Sequence, residues 1–132
     1  MRGFLLVSHG GFAEALKESV KMIAGEVDNI FAVGLYPSEG VDEFIAKLDV
    51  LVPEFENYEE LFIFTDLFGG SPGNSAFLRF AENPKFQIIS GMNFPLVLTA
   101  LLTPDVDAQF LLDAAKEGMV DVKAMLSNMD DE

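Results

Sequence analysis

Cysteine and tryptophan are both missing from this 132-residue chain, and histidine occurs once, at His9. Without cysteine there is no disulfide, no thiolate nucleophile and no sulfur-ligated metal. A single histidine makes zinc and other His-rich metal sites poor fits, so no metal and no cofactor are expected. Positive charge is scarce too: eight Lys and Arg stand against 22 Asp and Glu, a formal net charge of −14. That balance argues against nucleic acid as a partner, because no excess of cations exists to neutralise its phosphates. It equally disfavours an anionic membrane surface. Long apolar runs are lacking, and stretches such as Phe94 to Leu102 fall far short of a bilayer span. The opening MRGFLLVSHGG has one basic residue and too brief an apolar run for a signal peptide. A soluble, cytoplasmic protein is the expectation.

What remains is enough for a core. Half the residues are apolar and 23% are charged, which suits one compact domain over residues 1–132. Residues 128–132, ending Asp130-Asp131-Glu132, read as a frayed acidic tail.

Apolar runs and helical stripes alternate along the chain. Gly3 to Ser8, Asn29 to Leu35, Leu61 to Asp66 and Phe86 to Ser90 read as strands. Phe12 to Ala24 carries apolar residues at helical spacing and stops at Gly25. A second amphipathic helix is expected over Val41 to Phe55, and a third to Ala81, with Ser71 as N-cap and Pro72 at its first position. Asn93 can cap a helix over Phe94 to Leu102, and Asp105 to Lys116 supplies another. This order predicts an α/β fold: an open, mainly parallel four-stranded sheet with helices on both faces. In Met119 to Leu126, Val120, Val122, Ala124 and Leu126 alternate with Asp121, Lys123 and Met125, which predicts an added edge strand. Continued helix is the rival there, since Ala, Met, Lys and Leu are good helix formers.

Parallel α/β sheets bind ligands at the carboxyl ends of their strands. Four segments fall there: Ser8 to Gly11, Tyr36-Pro37-Ser38, Asp66 to Asn74, and Gly91-Met92-Asn93. His9 stands between a strand and a helix N-terminus, where a nucleophile carrying an anion is favoured; it could also simply end a strand. Gly10 and Gly11 let backbone approach a ligand closely. Asp66 could accept a hydrogen bond from one imidazole nitrogen and leave the other as nucleophile, or merely cap the next turn. Gly69-Gly70-Ser71-Pro72 resembles an anion-binding nest before a helix, although plain turn chemistry explains the same residues. Ser71 could both cap its helix and donate to a phosphate. No GK[ST] follows, so this is not a Walker loop, and no G-x-S-x-G elbow exists for Ser8, Ser38 or Ser71.

Three stretches together resemble the IIA domain of the mannose family of bacterial sugar phosphotransferase systems. They are S-H-G-G-F-A-E-A-L (Ser8 to Leu16), D-L-F-G-G-S-P-G-N (Asp66 to Asn74) and G-M-N-F-P-L-V (Gly91 to Val97). The resemblance implies a phosphotransferase acting through a phosphohistidine, with His9 the acceptor and Asp66 orienting its ring. Ser71 and the backbone of Gly10, Gly69 and Gly70 would bind the phosphoryl group. It implies HPr as donor and a IIB component, on a separate chain, as recipient, with membrane components IIC and IID met only indirectly. It also implies a homodimer that exchanges the terminal strand. Members often carry Trp in the middle motif, where this chain has Phe68.

Two other readings fit parts of the sequence. A signalling receiver would be phosphorylated on Asp66, but it needs an acidic magnesium cluster where Ser8-His9 stands. A non-catalytic interaction domain could use the same scaffold. The sugar is not legible, because nothing from His9 to Asn93 is suited to touch a hexose.

Overall fold

The structure, a computed structural model, describes residues 1–130. Four strands, β1 (Arg2–His9), β2 (Ile30–Leu35), β3 (Glu60–Thr65) and β4 (Phe86–Ser90), form one parallel sheet in the order β2-β1-β3-β4. Helices α1 (Phe12–Ala24), α2 (Val41–Phe55) and α3 (Ser71–Phe80) connect them, and α4 (Phe94–Leu102), α5 (Ala108–Glu117) and α6 (Val122–Asp130) follow.

Strand alternation sorts side chains onto two cores. Phe4 and Leu6 of β1 with Phe62 and Phe64 of β3 face α1, α4 and α5. Leu5, Val7, Leu61 and Ile63 face α2 and α3. Both faces are therefore apolar, as expected of strands covered on either side. Phenylalanine fills much of this volume: Phe4, Phe62 and Phe64 stack with centroids 5.9 to 6.2 Å apart. On the other face Phe55 meets Phe31, Phe80 and Phe86 edge-on. Each such fully buried ring contributes about 1.5–3 kcal/mol relative to exposure.

The carboxyl-terminal segment departs from the strand expected over Met119 to Leu126: Val122–Asp130 is helical. Asp121 caps the segment, its Oδ1 accepting from Ala124 N at 3.0 Å while its carbonyl accepts from Met125 N at 3.0 Å. Val122 and Leu126 fit both an alternating and a helical stripe, Met125 joins them only in the helical one, and the Asp121 cap starts the helix. All three are exposed. Of the expected acidic tail, 128–130 belongs to this helix, whereas 131–132 lie outside the described residues.

Candidate functional site

Strand order places the site before any side chain is considered. β1 lies between β2 and β3, so the sheet grows first to one side of β1 and then to the other. After β1 the chain turns into α1 on one face, and after β3 it turns into α3 on the opposite face. The two turns diverge and open a crevice at the carboxyl ends of β1 and β3, the topological switch point. His9 ends β1 and Asp66 follows β3, with Val7 paired to Thr65 just below them.

Asp66 Oδ2 accepts from the His9 main-chain N–H at 2.9 Å and lies 2.9 Å from His9 Nδ1. An ionised carboxylate only accepts, so in the neutral imidazole this contact places the proton on Nδ1 and the lone pair on Nε2. The imidazole is half exposed while the carboxylate is only 14% exposed, so the free nitrogen faces outward above a sheltered partner. Asp66 Oδ1 is buried with no partner among the described residues, which concentrates the pairing on Oδ2.

The turn carrying His9 is held by residues whose role the sequence did not reveal. Ser8 is fully buried; its Oγ accepts from Ala13 N at 2.7 Å and donates to the Gly10 carbonyl at 3.3 Å. It thereby satisfies an N–H at the start of α1, where the formal N-cap, Gly11, has no side chain to do so. Gly10 adopts φ +55°, and its N–H donates to Leu35 O at 2.8 Å. The Gly10 N–H is thus committed to the turn, and the phosphate contact expected of Gly10 is not among the bonds it makes here. Gly34 in β2 lets the turn lie flat, because a Cβ there would stand 2.1 Å from the Gly10 carbonyl oxygen. A glycine inside a strand pattern is the signal that could have found it.

Facing the imidazole is the Gly69-Gly70-Ser71 turn. A Cβ on Gly70 would lie 2.8 Å from His9 Cε1 and 3.5 Å from Nε2, so the ring rests directly against this backbone. Gly70 N donates to Leu67 O at 3.1 Å, and Gly70, not the expected Ser71, is the N-cap of α3. Ser71 is instead the first helical residue, exposed, with no cap bond from its side chain. Its N–H has no intrahelical acceptor and its hydroxyl is uncommitted to the helix, so both can serve an anion at the positive end of α3. His9, Asp66, Gly70 and Ser71 thus converge, Gly69 shapes the turn at φ +85°, and Gly10 stands behind the histidine.

A polar rim adjoins Gly11. Tyr36 Oη donates to Glu14 Oε1 at 2.9 Å, and that carboxylate, accepting the hydrogen bond, raises the phenol pKa above its ordinary value. Lys47 Nζ donates to Glu39 Oε1 at 2.7 Å and to Gly34 O at 2.6 Å, and its ammonium lies 5.1 Å from the Tyr36 ring centroid. The Lys47 hydrogen bond, joined by one from Tyr36 N, holds the Glu39 carboxyl below its usual value.

Beside Asp66 opens a largely apolar cleft of 420 Å³ lined by Thr65, Leu67, Phe68, Phe77, Ile88 and Ser90. Phe68, 90% exposed, is its outermost wall. Another cleft of 420 Å³, around Arg2, Asn29 and Glu60, lies at the opposite, amino-terminal end of the strands. Among the described residues no three His, Cys, Asp or Glu side chains group to hold a metal ion, and no helix is long and apolar enough to cross a membrane.

Fold and site together define an open parallel α/β protein that presents one carboxylate-held histidine beside a helix N-terminus. Residues 3–116 match the family profile EIIA-man, described as the PTS system fructose IIA component. The chain belongs to this family, the IIA components of mannose-family sugar phosphotransferase systems. It is 34% identical over 101 residues to the PTS system fructose-specific EIIA component of Bacillus subtilis, covering 76% of this chain and 69% of that protein. Identity is 26% over 123 residues to the PTS system mannose-specific EIIAB component of Escherichia coli, covering 89% of this chain and 38% of that protein. The crystal structure of the PTS IIA protein associated with the fucose utilization operon of Streptococcus pneumoniae superposes with a TM-score of 0.87. That comparison has 32% identity and covers 95% of this chain and 96% of the other.

Proposed function

We propose that the protein is a cytoplasmic phosphocarrier that receives a phosphoryl group on His9 Nε2 from the phosphohistidine of HPr and passes it to a histidine of a IIB component. The observation that carries this reading is the Asp66 bond to Nδ1, which leaves Nε2 unprotonated, outward and against Gly70. In the first transfer the Nε2 lone pair forms the new N–P bond as the N–P bond of phospho-HPr breaks. In the second the lone pair of the IIB histidine forms it as the Nε2–P bond breaks and returns its pair to Nε2, and the proton on Nδ1 stays beside Asp66 throughout. Ser71 N–H, its hydroxyl and the Gly69 N–H supply charge compensation without reorganising, while the Gly70 N–H is already held by Leu67 O. A half-exposed imidazole suits a site that two protein partners must reach. Phe68, standing out of the same loop, supplies an aromatic anchor for them. Phosphorylation on Asp66 is disfavoured, since its Oδ2 is occupied by two donors from His9.

The relatives' names specify fructose and mannose, and the solved structure's names a fucose operon. Similar proteins thus carry the names of several sugars, which agrees with sugar choice residing in the membrane components IIC and IID. A homodimer is part of the proposal, supported by the exposed apolar side chains of α6 and the unpaired outer edge of β4. The test is intact-protein mass after incubation with phosphoenolpyruvate, enzyme I and HPr. One acid-labile phosphoryl gain in the wild type, absent from His9→Gln, is expected. No gain from a cognate, demonstrably phosphorylated HPr would overturn the assignment.

A further inference from the structure

Gly91-Met92-Asn93 makes its bonds away from the histidine. Asn93 caps α4 through Leu96 N at 2.9 Å, and its Nδ2 donates to Ala115 O at 2.9 Å. The two residues before it do something else. Gly91 N and Met92 N both donate to the carbonyl oxygen of Thr65, each at 2.9 Å. Gly91 reaches this geometry at φ +85°, in the left-handed region that favours glycine. Thr65 Oγ1 also donates to Ser90 Oγ at 2.8 Å, and the Thr65 side chain is 2% exposed. The same side chain supports the first turn of α3, since a Cβ on Gly73 would lie 3.2 Å from Thr65 Cβ, Cγ2 and Oγ1.

Thr65 is the residue immediately before Asp66. Its carbonyl belongs to the peptide plane that leads into Asp66, so two donors on that oxygen fix the plane from which the carboxylate projects. The hydroxyl bond locks the end of β3 to the end of β4 by a second route. We infer that Thr65, clamped by the Gly91–Met92 turn and by Ser90, is a positioning residue that aims Asp66 at His9 Nδ1 and seats the α3 N-terminus opposite Nε2. The inference rests on the phosphocarrier reading of His9. Thr65 touches neither the imidazole nor the transferred group; it acts through Asp66. Loss of the hydroxyl bond lets the carboxylate drift, the Nδ1–H tautomer lose its advantage, and in-line attack by Nε2 become rarer.

Thr65→Val removes the hydroxyl at nearly constant shape, Ser90→Ala removes the same bond from the other side, and Thr65→Ser keeps it. Two measurements apply to each: the His9 tautomer from imidazole ¹⁵N shifts, and steady-state transfer from phospho-HPr. The expected result is a mixed tautomer in Thr65→Val and Ser90→Ala, with kcat lowered about ten-fold and KM little changed. Thr65→Ser should keep the wild-type tautomer, and the Thr65→Val/Ser90→Ala double variant should be no worse than either single one. If both single variants keep a pure Nδ1–H tautomer and wild-type kcat, the inference is overturned, however far their melting temperatures fall. Should the wild type itself take up no phosphoryl group, the carrier reading fails instead, and the ¹⁵N shifts still decide whether Thr65 positions Asp66.

Discussion

Asp66 Oδ2 receives both the main-chain N–H and the ring nitrogen of His9, so one atom sets the imidazole's height and its rotation. Asp66→Asn keeps the shape but lets an amide donor face Nδ1, which favours the opposite tautomer. Transfer from phospho-HPr should fall about 10²-fold, read as single-turnover rates with circular dichroism unchanged. Gly70→Ala tests the other side of the ring: its Cβ, 2.8 Å from Cε1, must push the imidazole off Asp66. A drop in transfer without loss of melting temperature is the expected outcome, and an unchanged rate would show that the ring can move freely. At this scale much was legible. A lone histidine, a strand-ending aspartate and a Gly-Gly turn were each visible in the chain, and they meet as expected. Ser8 and Gly34 were not legible as parts of the site, because their purpose depends on Ala13 N and the Gly10 carbonyl. Only the N-cap part of the Ser71 expectation failed: Gly70 takes the extended cap conformation and Ser71 is the first helical residue.

Secondary elements were read most accurately where local chemistry sets their ends. Helix α1 stops at Gly25, which turns at φ +86° and returns its N–H to Lys21 O at 2.9 Å. Helix α4 starts at the Asn93 cap. By contrast, α6 was misread, since Val122 and Leu126 satisfy both periods, and Met125 with the Asp121 cap belongs to the helical one. Asp121→Ala should therefore lower helicity in this segment, seen as smaller secondary ¹³C shifts for 122–128, while the sheet is unaffected. Between β2 and α2, Gly34→Ala forces a Cβ to 2.1 Å from the Gly10 carbonyl, and a loss of about 1–3 kcal/mol is expected in urea unfolding. The same corner carries a pH signature. Because Lys47 holds the Glu39 carboxyl below its unfolded value of 4.5, the ion pair stabilises the fold above that pH. Its contribution disappears as pH falls through the lowered folded value. Lys47→Met should remove that part of the acid dependence, measurable as a flatter profile of melting temperature against pH.

For the molecule as a whole, the formal charge of −14 means that a phosphoryl group arrives against the protein's own field. Local donors at the α3 N-terminus compensate within the site, but encounter with a partner is governed by the whole surface. A donor with a basic face should associate faster at low salt, with the second-order rate constant falling about ten-fold toward high ionic strength. Stopped-flow transfer across a salt series checks this, and a flat response would mean that apolar contact at Phe68 dominates. The fold class was legible because both faces of the strands are apolar and helices separate them. The segment expected to be a terminal strand exchanged in a dimer is helical in the structure. Sedimentation equilibrium of the wild type against Val122→Asp/Leu126→Asp tests whether α6 contributes to self-association.

The switch-point crevice exposes one nitrogen, Nε2, between two diverging helices. On the proposed carrier reading, donor and recipient must both reach this one nitrogen, so the donor is expected to depart before the recipient arrives. Double-reciprocal plots of the complete relay, varied in donor and recipient, should then give parallel lines. Each partner in its unloaded form should inhibit competitively against the other. A lone accessible atom would, on that reading, impose turn-taking on the relay and make the lifetime of the charged carrier, rather than the stability of any three-protein assembly, the quantity that sets its flux.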